Sequence, residues 1–427
     1  MSDASRRPSA ARILEPLLRQ LLGRDLPVRF VFWDRSELGP DKAPGTIRLR
    51  SPNVLRRIVW SPDELGLARA FVAGEMDVEG DLHETLESLA RAVSSTARLR
   101  PRALATALGA ALSLGALGLP LPPPDAETRP RGHRHSKGRD ASAIGHHYDV
   151  GNDFYALFLG PSMTYSCARF PTESSSLEEA QESKHDLVCR KLGLAERPGK
   201  RLLDVGCGWG SLVIHAASRY RAEAVGITLS RQQAERARAR VEEAGVAGEV
   251  EIRLQDYRDL AGESFDAISS VGMFEHVGSD QTARYFSTLR SLLGPGGRLV
   301  NHAISKVGSS RLQGRTFMHH YVFPDGELID VGEVVLAMER AGFEVRDVES
   351  LREHYARTLR AWVANLEAQL DKATALAGAE RTRVWRLYMA ASANNFERGR
   401  LGVHQVLGVA DSAEGWSGMP LTRAGWV

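Results

Sequence analysis

Hydrophobic positions recur with two different periods in the first part of the chain. Residues 11–21 carry leucine and isoleucine at helical spacing, which predicts an amphipathic helix. The runs LPVRFVFW (26–33) and TIRLR (46–50) are extended and rich in apolar residues, so they predict strands. Helical periodicity returns over residues 61–92. These patterns predict a small mixed α/β domain over residues 1–118, in which no residue suggests catalysis.

A second pattern begins near residue 200, where short apolar runs alternate with helical segments. The predicted strands are RLLDV (201–205), EAVGIT (223–228), VEIRL (250–254), FDAISSV (265–271), RLVNHAI (298–304) and EVRDVESL (344–351). Strands that alternate with helices are typical of a doubly wound α/β fold with a mostly parallel sheet. Apart from the last of these strands, the region after residue 304 is predicted to be irregular and then helical.

The composition limits the class of protein but does not identify a reaction. A length of 427 residues favours two or more domains, and 43% hydrophobic with 25% charged residues is ordinary for a globular chain. With 55 basic and 53 acidic residues, the net charge of +2 gives no reason to expect nucleic acid as a partner. Three cysteines form neither a disulfide framework nor a metal-ligand spacing. No apolar signal-peptide core follows the N-terminus, so we expect a cytoplasmic protein.

Residues 119–140 form a proline-rich and then basic linker between residues 1–118 and a second domain over 141–427. Its clustered charges are Arg129, Arg131, Arg134, Lys137 and Arg139. Two interpretations stay open for them, a solvated connector or a patch that docks on anionic lipid headgroups. The uncharged stretch 103–119 is short and rich in Ala and Gly, which predicts a packed or membrane-grazing helix rather than a transmembrane span.

The most informative local motif is RLLDVGCGWG, in which an apolar strand ends at Asp204 and glycines follow at Gly206, Gly208 and Gly210. Glycines there let the backbone turn tightly and approach a ligand at the carboxyl end of a parallel strand. The spacing differs from the G-x-G-x-x-G of dinucleotide-binding folds. It resembles the S-adenosylmethionine site of class I methyltransferases.

Several blocks together resemble the cyclopropane-fatty-acyl-phospholipid synthase family, in the order that the family has them. They are HHYDVGNDFYALFLGPSMTYSCARF (146–170), LLDVGCGWG (202–210), GITLSRQQ (226–233), LQDYRDL (254–260), VGMFEHVG (271–278), YVFPDG (321–326) and HYARTLRAW (354–362). The segment FVAGEMDVEGDL (71–82) is similar to the small N-terminal domain of the longer bacterial members. The resemblance extends from about residue 45 to residue 408.

The resemblance implies a Rossmann-like class I methyltransferase domain that follows a smaller mixed α/β domain. It implies methyl transfer from S-adenosylmethionine to the double bond of an unsaturated phospholipid acyl chain, through a carbocation, to form a cyclopropane. In the family, a bound bicarbonate ion is the base that removes the proton. The matching catalytic positions are Cys167, Glu275, His302, Tyr355 and the backbone amide of Ile304.

The resemblance also assigns cofactor-binding positions. They are Tyr165, Ser166, Asp204, Gly206, Gly208, Gly210, Thr228, Leu229, Gln233, Asp256 and Tyr257. His146, His147 and His276 invite a metal interpretation, but no second cluster at zinc spacing accompanies them, so no metal is expected.

Several alternatives stay open at this stage. The same scaffold suits a methylene-branched product, which a reductase partner would later reduce. A second alternative is methylation of a soluble molecule. A third is a non-catalytic lipid-binding role. We expect a peripheral membrane protein that acts on phospholipid acyl chains. Family members often form homodimers. Phe317, Tyr321 and Phe323 are candidates to line an acyl entrance, with ordinary packing as the other interpretation.

Overall fold

A computed structural model describes the chain over residues 8–93, 101–128, 138–139, 150–308, 316–412, 414–415 and 417–426. The chain divides into two compact units. The first comprises Met1–Arg129, Gln313–Val322 and Gly378–Asn394, and the second comprises Pro130–Leu312, Phe323–Ala377 and Asn395–Val427. The mixed α/β character predicted for the N-terminal part is present in the first unit, which also includes two later segments that the sequence did not point to. The predicted boundaries at residues 118 and 140 stay a prediction.

The first unit is built on a small sheet with strand order β2-β1-β3-β4. Its strands are β1 (Arg29–Val31), β2 (Glu37–Leu38), β3 (Gly45–Leu49) and β4 (Met76–Gly80). Its helices are α1 (Ala10–Leu22), α2 (Asn53–Trp60), α3 (Glu64–Val72), α4 (Leu82–Ala92), α5 (Pro101–Ser113), α11 (Phe317–Tyr321) and most of α15 (Ala379–Glu397). Strands β1 and β3 pair in parallel, and strands β3 and β4 pair antiparallel.

One prediction for this unit is wrong, because residues 61–92 are not continuously helical. Helix α3 ends at Val72, and Gly74 turns the chain with φ of +72°, a conformation that glycine adopts without steric cost. Strand β4 then pairs with β3 before α4 begins. Side-chain periodicity over the whole stretch hid this edge strand, since the strand is only five residues long and lies between two helices.

Two features of the first unit concern the predicted membrane contacts. Phe317 and Tyr321 are buried, and the Tyr321 hydroxyl donates to Glu127 at 3.1 Å, which corresponds to ordinary packing rather than an acyl entrance. Glu127 also pairs in a bidentate manner with Arg69 at 2.6 and 2.7 Å. Among the described residues no helix is long and apolar enough to cross a membrane.

The second unit contains the doubly wound sheet that the sequence predicts. Its strand order is β11-β12-β9-β8-β5-β6-β7, with β10 attached to β9. The strands are β5 (Arg201–Val205), β6 (Glu223–Thr228), β7 (Val250–Leu254), β8 (Phe265–Val271), β9 (Leu293–Lys306), β10 (Ile329–Asp330), β11 (Phe343–Ser350) and β12 (Leu401–Ala410). All six strands predicted in this region are present, and β5 to β9 pair in parallel.

Helices cover both faces of this sheet. They are α6 (Asn152–Leu159), α7 (Leu177–Lys191), α8 (Ser211–Tyr220), α9 (Arg231–Glu243), α10 (Thr282–Ser291), α12 (Val331–Arg340), α13 (Arg352–Glu367) and α14 (Leu370–Ala377). Short 3₁₀ turns lie at Tyr257–Asp259, Phe274–His276, Ser279–Gln281 and Arg423–Gly425. Two apolar cores result, one on each side of strands β5 and β6.

The sequence did not predict two strands of the large sheet, the two-residue β10 and the longer β12. Strand β12 is the one that shapes the site. It lies between β9 and β11 and is antiparallel to both. Its sequence, LGVHQVLGVA, is nearly continuous in apolar residues because both faces of the strand are buried, so it lacks the alternation that marks a half-exposed strand. The insertion sets Gln405 opposite His302 on β9.

Of the clustered charges in the predicted linker, Arg129, Arg131, Arg134 and Lys137 lie outside the described residues. Arg139 is described, and it forms a bidentate ion pair with Asp325 at 2.6 Å for both contacts. Its side chain is largely buried. Arg139 therefore does not belong to a solvated basic patch, which corrects that part of the linker interpretation.

Candidate active site

A cavity opens at the carboxyl ends of the central strands, beside the glycine loop after β5. Gly206, Gly208 and Gly210 all have positive φ, at +80°, +55° and +81°. A Cβ on Gly206 would lie 3.0 Å from Cβ and Cγ of Met273, so this position has no room for a side chain. The close approach explains why the loop needs glycine there and lets its backbone form one wall of the cavity.

Ten of the eleven predicted cofactor residues line this cavity. They are Tyr165, Ser166, Asp204, Gly206, Gly208, Thr228, Leu229, Gln233, Asp256 and Tyr257. Gly210 does not line it. Instead it precedes α8, and a Cβ there would lie 3.3 Å from Cβ of Ala237, so its small size serves the packing of the loop against α9.

The polar groups of the cavity suit the parts of a nucleoside. The Thr228 hydroxyl donates to Oε1 of Gln233 at 2.8 Å, which leaves the amide nitrogen of Gln233 as a donor for a ribose hydroxyl. Asp256 follows β7 and holds Arg258 through contacts of 2.6 and 2.8 Å. The buried ring of Tyr257 packs edge-on against Tyr285, with the ring centroids 5.0 Å apart.

Asp204 ends the first strand of the large sheet and is buried beneath the glycine loop. Oδ1 of Asp204 accepts a hydrogen bond from the Ser269 hydroxyl at 2.7 Å. Burial raises the pKa of Asp204 to about 6. The Asp204 carboxylate therefore lies buried beneath the loop, where it can accept a hydrogen bond from any donor that enters this end of the cavity.

A second group of residues, some buried and some half-buried, lies next to the cavity without lining it. It contains the five predicted catalytic positions, Cys167, Glu275, His302, Ile304 and Tyr355. Glu275 lies in the 3₁₀ turn after β8, and its Oε1 accepts the backbone N–H of Ile304 at 2.8 Å. Its Oε2 is buried, and no described residue hydrogen-bonds to it. Burial raises the pKa of Glu275 to about 7.

His302 is positioned by the pairing of three strands. It lies opposite Val271 on β8 and opposite Gln405 on β12. Nε2 of the Gln405 amide lies 3.2 Å from Nδ1 of His302, while Nε2 of His302 is buried without a partner among the described residues. Burial lowers the pKa of His302 well below its usual range, so the ring is neutral. An amide N–H that donates to Nδ1 places the ring proton on Nε2.

Hydrogen bonds through the backbone of Leu351 link Cys167 and Tyr355 to the strand opposite Ile304. The Cys167 thiol donates to the Leu351 carbonyl at 3.6 Å, and the same carbonyl accepts the N–H of Tyr355 at 3.0 Å. The Leu351 N–H donates to Val403, which lies opposite Ile304 in the sheet. Burial raises the pKa of the Cys167 thiol, so it is a neutral donor. A chain of backbone contacts thus links the segments that carry Cys167, Tyr355 and Ile304, and the shared catalytic role of the five residues stays a prediction.

The two unpartnered atoms test whether this group fits a small oxyanion such as bicarbonate. Nε2–H of His302 is a donor and Oε2 of Glu275 is an acceptor when ionised, and bicarbonate has both acceptor oxygens and one O–H. The residues therefore fit the ion. One detail differs from the arrangement that the resemblance implies, because the Ile304 amide donates to Glu275.

Within the described residues there is no group of three or more His, Cys, Asp or Glu side chains that could hold a metal ion. His276 lines the cavity, with its ring 5.7 Å from that of Phe323. His146 and His147 lie outside the described residues. The expectation of a metal-free enzyme stays a prediction.

Comparison with known proteins settles the family. The family model for mycolic acid cyclopropane synthetase matches residues 135–406. A probable fatty acid methyltransferase of Mycobacterium tuberculosis is 43% identical, with 94% of this chain and 95% of the relative covered. The chain belongs to the mycolic acid cyclopropane synthetase family. It is an S-adenosylmethionine-dependent methyltransferase of the cyclopropane synthase type.

Two further relatives refine the picture of this methyltransferase. A tuberculostearic acid methyltransferase of M. tuberculosis is 34% identical, with 93% of this chain and 91% of the relative covered. A mycolic acid cyclopropane synthase solved with S-adenosylhomocysteine and the detergent CTAB superposes with a TM-score of 0.60 at 34% identity. That alignment covers 63% of this chain and 98% of the solved one, which confirms the predicted class I fold for the second unit.

Lys184 and Gln405 are among the polar residues of the site that were not predicted from the sequence. Lys184 lines the cavity, and Gln405 contacts His302. For Lys184 a signal was available, because it shares a face of α7 with buried Ala180, Leu187 and Val188. A charged residue on an apolar helix face indicates a special role. Gln405 had no such signal, since β12 itself was not predicted.

Proposed function

We propose that this methyltransferase transfers a methyl group from S-adenosylmethionine to the double bond of an unsaturated phospholipid acyl chain and forms a cyclopropane ring. The observation that supports the proposal most strongly is the pair of buried, unpartnered atoms on Glu275 and His302 beside the cofactor cavity. A simple methyl transfer to oxygen or nitrogen has no need for a second buried site that can bind a base.

An alkene is a weak nucleophile, so its methylation requires a strongly activated methyl group. When bound, S-adenosylmethionine supplies that group on a sulfonium, and methylation leaves a carbocation on the acyl chain. The acyl chain must then lose a proton from the new methyl group, which closes the ring, before water can reach the cation. Cys167 and His302 are each 1% exposed, so these residues exclude water from the place where the proton departs.

The chain's own residues can receive and hold that proton. His302 is neutral with Nε2–H as a donor, and Glu275 with a pKa of about 7 can carry a proton or release it near neutral pH. A bicarbonate ion held by these two side chains would supply a compact base. The Ile304 amide orients Glu275, and the segment Tyr165–Cys167 joins the cofactor cavity to this buried group.

The second candidate is a methylene-branched product from the same substrate. It is favoured by the 34% identity to the tuberculostearic acid methyltransferase over nearly the whole chain. In this case a hydride shift along the acyl chain precedes loss of the proton, and a reductase partner would act on the product. The two outcomes share the cofactor and the acyl substrate.

We also propose peripheral association with a phospholipid membrane, because the acyl double bond lies within the bilayer. The first unit exposes Trp60 at 56% and Leu119 at 78%. These two groups are adjacent, since the indole N–H of Trp60 donates to the Gly118 carbonyl at 2.9 Å. Exposed tryptophan and leucine together are typical of surfaces that insert into the headgroup region. Homodimer formation remains a prediction.

Mass spectrometry of fatty acids tests the proposal directly. Vesicles that carry oleoyl phospholipids are incubated with the enzyme and S-adenosylmethionine, and the added carbon is located. A gain of one CH₂ as a cyclopropane supports the first candidate, and the same gain as an exocyclic methylene supports the second. Unchanged acyl chains, with methylation of a soluble acceptor instead, would contradict both. The Glu275→Gln variant is the matched control and should bind cofactor without turnover.

A further inference from the structure

Lys184 is a buried cation in the cofactor cavity that none of the roles above uses. Its side chain is 2% exposed, and it lines the cavity together with Ser166, Asp204 and Gly206. It projects from the buried face of α7, which carries Gln181, His185 and Lys191 beside its apolar residues. A lysine in such a position loses most of its hydration, so its charge needs compensation.

The protein supplies part of that compensation through Asp204 in the same cavity, but without a direct ion pair. Nζ of Lys184 donates to the Ser166 hydroxyl at 2.9 Å, and among the described residues no carboxylate lies within 4.0 Å of it. An ammonium has three donor protons, so two remain for a ligand. Burial lowers the pKa of Lys184 to about 8, and the charges of Cys167 and of Asp204, which lines the same cavity, oppose that shift only in part.

Lys191, on the same helix, is a buried lysine whose positive charge is compensated by carboxylates of the protein. Its side chain is 1% exposed, and Nζ contacts Asp347 at 2.9 Å and Glu349 at 2.5 Å. Both lysines are equally buried, but only Lys184 faces the cavity. The difference indicates that the direct anionic contact of Lys184, which Asp204 does not make, comes from whatever fills the cavity.

We propose that Lys184 binds the carboxylate of the amino-acid end of S-adenosylmethionine and holds the Ser166 hydroxyl in place beside it. This carboxylate is the anionic group that the cofactor brings into the cavity. The assignment rests on the S-adenosylmethionine dependence of the enzyme and is independent of its lipid substrate. Bicarbonate is the other anion to consider, but its five proposed partners do not line the cavity that Lys184 lines.

Calorimetry with two matched ligands tests this assignment on the full-length protein. The ligands are S-adenosylhomocysteine and the same thioether nucleoside without its carboxylate. The unmodified protein should bind S-adenosylhomocysteine ten- to a hundredfold more tightly, because a charge-assisted hydrogen bond contributes about 1.5–3 kcal/mol. Lys184→Met should abolish this preference, so that the two affinities become equal within about threefold. Lys184→Arg should keep part of it, since the charge is retained.

Lys191→Met is the matched control, because it removes a buried lysine from the same helix outside the cavity. It should lower the unfolding temperature and leave the ligand preference unchanged. Equal affinity of the unmodified protein for the two ligands would overturn the proposal even if Lys184→Met fails to fold. It would also be overturned if Lys184→Met kept the preference but required more bicarbonate for turnover. Failure of the unmodified protein to bind either ligand would instead contradict the cofactor assignment itself.

Discussion

At the scale of single residues, the contact between Gln405 and His302 determines which ring nitrogen of the histidine carries the proton. The amide lies 3.2 Å from Nδ1, which leaves the proton on Nε2, a buried atom without a partner among the described residues. Gln405 is thus a positioning residue, since it acts through His302 and does not itself touch the proposed base.

The Gln405→Leu variant should therefore lose about ten- to a hundredfold in turnover with its affinity for S-adenosylhomocysteine unchanged, because one orienting hydrogen bond to a buried donor is lost. Nitrogen-15 NMR of histidine-labelled protein should show Nε2–H on His302 in the unmodified enzyme and a mixture of tautomers in the variant. Ser305→Ala removes a hydrogen bond of 2.9 Å to His404 between the same two strands and serves as control. An unchanged tautomer in Gln405→Leu would contradict this role.

Glu275 links the site to the pH dependence of stability. Its pKa is raised from 4.5 to about 7 in the folded protein, so folding favours its protonated form. Its contribution to the free energy of unfolding is fully present below pH 4.5 and is lost as the pH rises through about 7. Relative to the unmodified protein, Glu275→Gln should thus become more stable with rising pH across this window, by about 3 kcal/mol in total.

Urea unfolding of both proteins at several pH values between 5 and 8.5 measures this difference. Asp204, with a pKa of about 6, changes stability in the same direction, but it is present in both proteins and cancels in the comparison. A difference between the two proteins that stays constant with pH would show that Glu275 titrates normally.

At the scale of secondary-structure elements, the loop between β5 and α8 depends on the absence of side chains. Gly206 needs glycine for two reasons, its φ of +80° and its 3.0 Å approach to Met273. Gly245, after α9, has a similar φ of +69° but open space where a Cβ would lie. Alanine substitutions at Gly206 and Gly245 therefore separate the energetic cost of the left-handed backbone conformation from the cost of crowding the cavity.

Gly245→Ala should lower the free energy of unfolding by about 1–2 kcal/mol, the cost of a left-handed conformation for alanine, without an effect on cofactor affinity. Gly206→Ala should cost more in stability and weaken S-adenosylhomocysteine binding at least about tenfold, because Met273 or the loop must move into the cavity. Chemical denaturation and calorimetry provide the two measurements. Normal binding by Gly206→Ala would show that the loop backbone does not touch the cofactor.

At the scale of the whole molecule, cofactor chemistry and proposed membrane contact belong to different units. The cavity and the five predicted catalytic residues are in the second unit, whereas Trp60 and Leu119 are exposed on the first. Each function can therefore be altered without the other. Because of this separation, membrane binding can be tested with substitutions in the first unit that leave the cofactor cavity unchanged.

The double variant Trp60→Ser with Leu119→Ser should reduce binding to oleoyl phosphatidylglycerol vesicles at least about tenfold, since two large apolar side chains are lost from the surface. Its affinity for S-adenosylhomocysteine should not change. Leu336→Ser, which removes a leucine that is 50% exposed on the second unit, is the matched control for vesicle sedimentation. Equal sedimentation of all three proteins would place the membrane contact elsewhere.

The sequence by itself determined the doubly wound sheet and the glycine loop, because these depend on local periodicity and on short motifs. The family resemblance assigned eleven positions to the cofactor, and ten of them line the cavity. Periodicity could not reveal β12, whose two faces are both buried, or β4, a five-residue edge strand between two helices. The roles of Lys184 and Gln405 were decided only by tertiary structure. Their partners, Ser166 and His302, lie 18 and 103 positions away along the chain, and only packing and strand order bring such groups together.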